Sequence, residues 1–184
     1  MKSITKMKIF IGICVLSAFV FFFTVYAKAE APAHDFAGVK KCSICHKSSE
    51  QGEQYQKWLD SKHAKAFEVL GTEEAKSAAA NLGIGDPQKS GKCLKCHSTA
   101  YGFSEEQVST TIPVEEGVSC ESCHGPGKDY MKKSVMQNKD EAVALGLIIP
   151  NEQTCVRCHN QESPTFKAFD FAQRWDEIKH PVPK

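Results

Sequence analysis

The sequence lacks an excess of charge of either sign. It has 184 residues, with 23 lysines and arginines against 22 aspartates and glutamates, and a formal net charge of +1. A nucleic-acid-binding protein usually carries a clear basic excess, so the composition argues against that class. The length fits one modest domain.

Long apolar runs are also scarce, and the one that stands out lies at the start of the chain. Residues 9–26 carry no charge, follow three lysines and precede Ala27 and Ala29, which form a small-x-small cleavage site. This pattern is typical of a secretory signal peptide over residues 1–29. We therefore expect an exported, periplasmic protein with its mature domain at residues 30–184. The alternative is an uncleaved segment that anchors the protein to the inner membrane.

Cysteine is plentiful, and eight of the nine cysteines fall in one repeated motif, C-x-x-C-H. In this motif two thiols form thioethers with the two vinyl groups of a haem, and the histidine that follows directly binds the iron. The sequence therefore predicts four covalent haem c groups. Their residues are Cys42, Cys45 and His46; Cys93, Cys96 and His97; Cys120, Cys123 and His124; and Cys155, Cys158 and His159.

Other uses of paired cysteines explain this pattern less well. Zinc sites do not require a histidine immediately after every second cysteine, and disulfide-exchange motifs leave the histidines unexplained. Export also fits haem attachment, because thiols outside the cytoplasm are otherwise oxidised.

Histidine is too scarce to complete every haem iron. Two axial positions on each of four irons exceed the seven histidines of the chain, so at most three haems are bis-histidine. We predict His34, His63 and His180, the histidines outside the motifs, as distal ligands. Met131 and Met136 are further candidates, for which a helical core position is the alternative.

The surroundings of each distal histidine guide its interpretation. His63 lies in residues 54–71, which are predicted as one helix, and His180 follows an amphipathic helix predicted over residues 169–179. Because apolar side chains share the predicted face with each histidine, a haem ligand is favoured over a core or solvated residue. For His34, near the mature N-terminus, the alternative is a frayed tail.

The mature chain is short for the number of haems that it is predicted to hold. Removal of residues 1–29 leaves about 39 residues for each haem, which is too few for a separate apolar core, so the haems are expected to supply it. We predict a mainly α fold, a small multihaem cytochrome c with sparse regular structure. Further helices are predicted at residues 72–83, capped by Thr72, and at 128–146, with an extended stretch at 108–119.

Two stretches resemble the tetrahaem cytochrome c-554 family. They are KCSICHKSSEQGEQYQKWLDSKHAKAF, at residues 41–67, and GVSCESCHGPG, at residues 117–127. The resemblance implies a mainly helical fold, closely stacked haem pairs and electron transfer. It also implies three bis-histidine haems, with His63 serving the haem of the fourth motif and His180 that of the third, and a five-coordinate haem at the second motif.

The sequence departs from that family at one ligand. The family has a histidine a few residues past the GPG turn, which serves the first haem, whereas the corresponding stretch KDYMKKSVM has none. His34 and Met131 are the candidate replacements.

The function predicted from these features is electron transfer between redox proteins, such as donor and acceptor cytochromes or oxidoreductases of a respiratory chain. One alternative is a haem enzyme that acts on a small nitrogen species at a five-coordinate haem, with Tyr101 the nearest acid–base candidate to the second motif. Another is a subunit of a larger electron conduit. Six lysines near the first two motifs either dock an acidic partner or are ordinary solvated residues: Lys40, Lys41, Lys47, Lys89, Lys92 and Lys95.

Overall fold

The structure is a computed structural model and describes residues 34–103 and 112–180. Within these residues all regular secondary structure is helical, which confirms the predicted mainly α fold with sparse regular structure. The α-helices are α1 (Val39–His46), α2 (Gln54–Leu59), α3 (Ala66–Val69), α4 (Glu73–Asn81), α5 (Gly91–His97), α6 (Cys120–His124), α7 (Lys133–Met136), α8 (Lys139–Ala144), α9 (Glu152–Val156) and α10 (Phe171–Ile178), and 3₁₀ turns form at Ser49–Gln51 and Val114–Glu116.

The predicted signal peptide or anchor, residues 1–29, lies outside the described residues. Among the helices that are described, none has the length and apolar character needed to cross a bilayer.

Two predicted helices form at the expected positions. α4 begins after Thr72, whose hydroxyl accepts a hydrogen bond from the Ala75 amide at 3.2 Å, and it ends before Gly83, which has a φ of 65°. α10 begins after Asp170, whose carboxylate accepts a hydrogen bond from the Gln173 amide at 3.1 Å. In both cases a side chain satisfies an amide that the first turn of the helix leaves unbonded.

The single helix predicted over residues 54–71 is wrong. The chain forms α2 and α3 with a turn between them, and His63 lies in that turn. The His63 carbonyl accepts a hydrogen bond from the Val118 amide at 3.1 Å, and the Val118 carbonyl accepts one from the Trp58 indole N–H at 2.8 Å. These long-range bonds replace the local pairing that a continuous helix would need.

Two other predicted segments also differ from the structure. Residues 128–146 form α7 and α8 rather than one helix, because Asn138 ends the first and caps the second, accepting a hydrogen bond from the Glu141 amide at 3.3 Å. Asparagine side chains compete with helical pairing and favour such caps. In the described part of the stretch predicted as extended, Val114–Glu116 forms a 3₁₀ turn.

The buried apolar side chains form small clusters. One groups Phe36, Ala100 and Ile112, and another groups Tyr130, Val135 and Ala142. Clusters of this size fit the expectation that covalently bound haem, more than side chains, fills the centre of the domain.

A buried carboxylate connects the first motif to the third. Glu121, inside the third motif, is 4% exposed. It accepts hydrogen bonds from the amides of Ala37 at 2.8 Å, Gly38 at 2.9 Å and Gly127 at 2.6 Å. Ala37 and Gly38 lead into α1, and Gly127 ends the GPG turn, so one side chain fixes three backbone segments. A buried charge needs such partners.

We expect Glu121→Gln to lower the free energy of unfolding by about 2–4 kcal/mol, because it replaces a charged acceptor with an amide whose NH₂ group faces N–H donors. Guanidinium unfolding of the purified haem-loaded protein, followed by circular dichroism, measures the change. Glu115→Gln removes the same charge from an exposed side chain nearby and should stay within about 0.5 kcal/mol of the parent. Equal effects of the two substitutions would contradict the structural role of Glu121.

Candidate haem-binding site

Each C-x-x-C-H motif contains a short helical turn. α1 ends at His46, α5 ends at His97, and α6 comprises Cys120–His124. The fourth motif begins in α9 and continues beyond it, where the His159 amide bonds to the Cys155 carbonyl at 3.0 Å. A helical turn keeps two cysteines three positions apart on one side and holds the following histidine beside them. This arrangement is what two thioethers and one axial ligand require.

Cysteines from different motifs lie next to one another. The Cys42 and Cys120 thiols lie close enough to shift each other's pKa, which is lowered at Cys42 and raised at Cys120. Cys158 lies beside Cys96, and its pKa is raised to about 12, mainly by burial and further by the Cys96 thiol. The first motif is therefore adjacent to the third, and the second motif is adjacent to the fourth.

Two polar contacts complete this arrangement. The Arg157 guanidinium, in the fourth motif, donates to the Ser122 carbonyl, in the third motif, at 2.5 Å. Lys95, in the second motif, forms an ion pair with Glu162, which follows the fourth motif. The motifs therefore lie in the spatial order first, third, fourth, second, which differs from their order in the chain.

Three motif histidines are oriented through their Nδ1 atoms. Nδ1 of His97 donates to the Ala66 carbonyl at 2.6 Å, and Nδ1 of His124 donates to the Ile148 carbonyl at 3.2 Å. Nδ1 of His46 lies 3.3 Å from the Gln54 side-chain oxygen. A histidine that ligates a metal usually donates its other ring N–H in this way, which fixes the tautomer and leaves Nε2 for the metal.

The structure brings His63 next to the fourth motif. The ring centroids of His63 and His159 lie 6.1 Å apart, although 96 positions separate the two residues in the sequence. On the other side, Phe169 stacks on His159 with a centroid distance of 4.7 Å and an interplanar angle of 17°. The turn between α2 and α3 thus places His63 beside the fourth motif, which is distant from it in the sequence.

A second histidine pair forms at the third motif. The ring centroids of His124 and His180 lie 5.8 Å apart. His180 follows α10. The Phe171 and Trp175 rings of this helix are in contact, with a centroid distance of 5.5 Å, which stabilises the helix.

Burial favours the neutral form of these imidazoles. It lowers the pKa of His63, with the charge of His159 acting in the same direction, and it lowers the pKa of His159, with the charge of Arg174 adding to it. Burial also lowers the pKa of His124. A neutral imidazole is the form that binds a metal.

The donor atoms fit haem iron. A metal–imidazole bond of about 2 Å and a distance of about 1 Å from the nitrogen to the ring centre put two opposed imidazoles on one metal about 6 Å apart. The two observed pairs, at 6.1 and 5.8 Å, have this separation. Together with the helical C-x-x-C turns, they match what covalent haem requires of the protein.

The remaining predicted ligands lie outside the two histidine pairs. Nδ1 of His34 is 2.7 Å from the Asp129 carboxylate, and its ring lies over Gly146, where an added Cβ would meet the ring at 3.0 Å. Met131 is 42% exposed, and Met136 packs against the cluster that contains Tyr130. His46 and His97 belong to neither histidine pair.

Comparison with known proteins identifies the family. Residues 41–125 match the family described as "Cytochrome c554 and c-prime". The chain is also 32% identical over 178 residues to cytochrome c-554 of Nitrosomonas europaea, covering 88% of this chain and 73% of that protein. The chain belongs to the cytochrome c554 family. A solved structure of the reduced state of cytochrome c554 from the same organism aligns with a TM-score of 0.58 and 26% identity, covering 82% of this chain and 86% of that one.

Membership of the cytochrome c554 family confirms the resemblance seen in the sequence and defines the chain as a multihaem electron carrier. Its cofactors are haem c groups, and electron transfer implies protein redox partners. The solved cytochrome c554 structure agrees with the helical architecture described above.

Several supporting residues of this cytochrome c554 homologue were missed by sequence reasoning. Gln54, Ala66 and Ile148 orient motif histidines, and Glu121 joins two motifs. Two of these contacts use backbone carbonyls, which any residue type provides, so no sequence pattern marks them. A glutamate within C-E-S-C-H could have been noticed, but two of its three amide partners lie 83 and 84 positions away.

We expect Gly117→Ala to destabilise the protein by about 1–3 kcal/mol and to disturb the His63 site. Gly117 has a φ of 72°, and an added Cβ would lie 3.0 Å from the His63 carbonyl oxygen. Guanidinium unfolding and the visible spectrum of the ferric protein measure the two effects. Gly85→Ala is the matched control, because a Cβ there meets nothing within 4 Å. A Gly117→Ala protein with the parent's stability and spectrum would contradict this role of Gly117.

Proposed function

We propose that this protein is an exported, periplasmic tetrahaem cytochrome that carries single electrons between redox proteins of a respiratory chain. Its haem domain comprises residues 30–184, behind the signal peptide or anchor of residues 1–29. The observation that carries the proposal is the pairing of two motif histidines with distant histidines, at 6.1 and 5.8 Å. Two imidazoles on one iron leave no position for a substrate and suit an electron carrier.

Each haem has one motif that would hold it. The eight motif cysteines attach four haems, and His46, His97, His124 and His159 are the proximal ligands. Haem c supplies a one-electron iron couple when bound. We assign His63 as the distal ligand opposite His159 and His180 as the distal ligand opposite His124, because their rings lie at the separation expected for a shared metal.

His34 is the proposed distal ligand opposite His46. Asp129 occupies Nδ1 of His34 at 2.7 Å, which leaves Nε2 for iron, as in the carboxylate–histidine–metal arrangements of other metal sites. The face of the ring packs against Gly146, so the imidazole is held on two sides. This assignment replaces the histidine that the family resemblance implies past the GPG turn.

Methionine is a weaker candidate for that position. Met131 is 42% exposed, and Met136 contributes to an apolar cluster. With the three distal histidines assigned, His97 is left with an open axial position on its iron, as the family resemblance implies.

The arrangement of the motifs defines the proposed electron path. The first motif touches the third through Cys42 and Cys120, the third touches the fourth through Arg157, and the fourth touches the second through Cys158. Electrons entering at either end would pass all four haems in the order first, third, fourth, second.

A second candidate function is catalysis at the second motif. His97 belongs to neither histidine pair and, once His34 is assigned to His46, has no distal histidine, so its iron is the proposed open position where nitric oxide, nitrite or hydroxylamine could bind. Tyr101 lies close by. Its hydroxyl packs against Gly91, the first residue of α5, which is the helix that ends at His97.

The proposal is tested first by haem content and ligation. A pyridine haemochrome assay should give four haems per chain, and His63→Ala should convert one low-spin ferric haem to high spin in the EPR spectrum, because it removes one axial imidazole. His180→Ala should convert a different haem, and Lys62→Ala, an exposed neighbour in the same turn as His63, should convert none. Fewer than four haems, or an unchanged low-spin signal in both histidine variants, would contradict the proposal.

The open position is tested by adding nitric oxide. We expect the EPR spectrum of the oxidised protein to contain one high-spin ferric component that disappears when nitric oxide is added, because only a vacant position binds a ligand readily. A wholly low-spin, unresponsive protein would rule out the catalytic function and leave electron transfer alone.

A further inference from the structure

The first motif differs from the other three in its exposure. Of the eight motif cysteines, Cys45 alone is exposed, whereas the other seven are partly buried. Each motif cysteine is proposed to carry a haem thioether, and Cys45 is the one that the polypeptide covers least.

The side chain beside Cys45 is apolar and also exposed. Ile44 is 67% exposed, the highest value among the large hydrophobic residues of the described segments. At the same place in the other motifs, Lys95 and Arg157 are exposed but charged, and Ser122 is partly buried and polar. A single exposed apolar residue is ordinary on a protein surface. The exposure of Ile44 therefore indicates a functional surface only in combination with its position next to Cys45 and the charges around it.

Lysines surround Ile44. Lys40, Lys41 and Lys47 are exposed on or next to α1, and the chain contains no acidic residue from Val39 to Ser49. Among the described residues, none of the three ammonium groups forms an ion pair.

The lysines near the second motif behave differently. Lys89 pairs with Asp86 at 3.3 Å, and Lys95 pairs with Glu162. The six lysines that stand near the first two motifs in the sequence are therefore not equivalent. Among the described residues, all three lysines at the first motif are without an ion pair, whereas at the second motif only Lys92 is.

We propose that the α1 face, formed by Lys40, Lys41, Ile44, Cys45 and Lys47, is the docking surface for an acidic redox protein and the point where electrons cross to or from the haem of the first motif. The inference rests on the proposed function. Lysines at the rim steer an acidic partner and raise its association rate. Ile44 provides an apolar centre that can be desolvated on contact. One electron passes between the partner's redox centre and the haem iron, and no bond forms or breaks.

An acidic protein fits this surface better than an anionic membrane does. A membrane-surface helix needs a broad apolar face, whereas α1 has eight residues, and its other aliphatic residue, Val39, is buried. A small apolar centre with a charged rim is instead suited to a transient complex of two proteins, whose interface is small.

The test follows electron transfer from a reduced acidic flavodoxin to the oxidised holoprotein by stopped-flow absorbance. Lys41→Gln combined with Lys47→Gln should lower the second-order rate constant by about threefold to tenfold at low ionic strength, because steering is lost. The difference should disappear at about 1 M salt, where the Debye length is about 3 Å. Lys40 is left intact because its charge also acts on Glu116.

Lys132→Gln combined with Lys133→Gln is the matched control. It removes the same two charges from exposed positions outside α1, and its rate constant should stay within about twofold of the parent. Ile44→Ser should lower the rate at every salt concentration, because it removes apolar contact rather than steering. Equal rates for the α1 and control double variants would overturn the proposal.

Failure of the docking surface can be separated from failure of the proposed function. Reduction by dithionite should be complete and equally fast in all variants, which checks that the haems are intact. A parent protein that flavodoxin cannot reduce would contradict electron transfer itself. Binding to vesicles of anionic lipid that is lost in the α1 double variant, with an unchanged flavodoxin rate, would assign the surface to a membrane and overturn the protein-docking proposal.

Discussion

The fold depends on one buried carboxylate. Glu121 is part of the third C-x-x-C-H motif, yet its hydrogen bonds reach the two residues that precede α1 and the last glycine of the GPG turn. Within the described residues, the clusters of buried apolar side chains that hold segments together are small. A charged acceptor that satisfies three amides gives directional bonds, which set the position of the first motif relative to the third more tightly than apolar contact would.

Single polar contacts also position side chains at the other motifs. Histidines are oriented by the nearest available backbone carbonyl, as His97 is by Ala66 and His124 by Ile148. The turn that carries His63 is held by Val118, just ahead of the third motif. His63, His97 and His124 thus each depend on a segment distant in sequence. The haem-binding residues therefore form one connected structure, and a change at one motif is expected to affect its neighbours.

The chemistry of the site could be predicted from the sequence, whereas its assembly could not. The motif spacing predicts the covalent attachment points, because attachment involves residues that are close together in the sequence. The caps at Thr72 and Asp170 were also predictable, since they use side chains adjacent to the helix that they begin. The helix expected around His63 failed for the opposite reason. Its helical pattern was correct on both sides, but the hydrogen bond from the Val118 amide to the His63 carbonyl, across 55 positions, interrupts it.

The two ends of the motif order have different surroundings. At the first motif, Cys45 and Ile44 are exposed and the lysines have no ionic partners among the described residues. At the second, Leu94 is buried, Lys95 is paired and His97 is fixed by Ala66. An exposed, positively charged end favours transient contact with another protein. At the other end, the iron proposed at His97 has no second histidine in our assignment, which favours a small ligand or no ligand at all. In the proposed order of the motifs, the docking surface and the open iron position therefore lie at opposite ends.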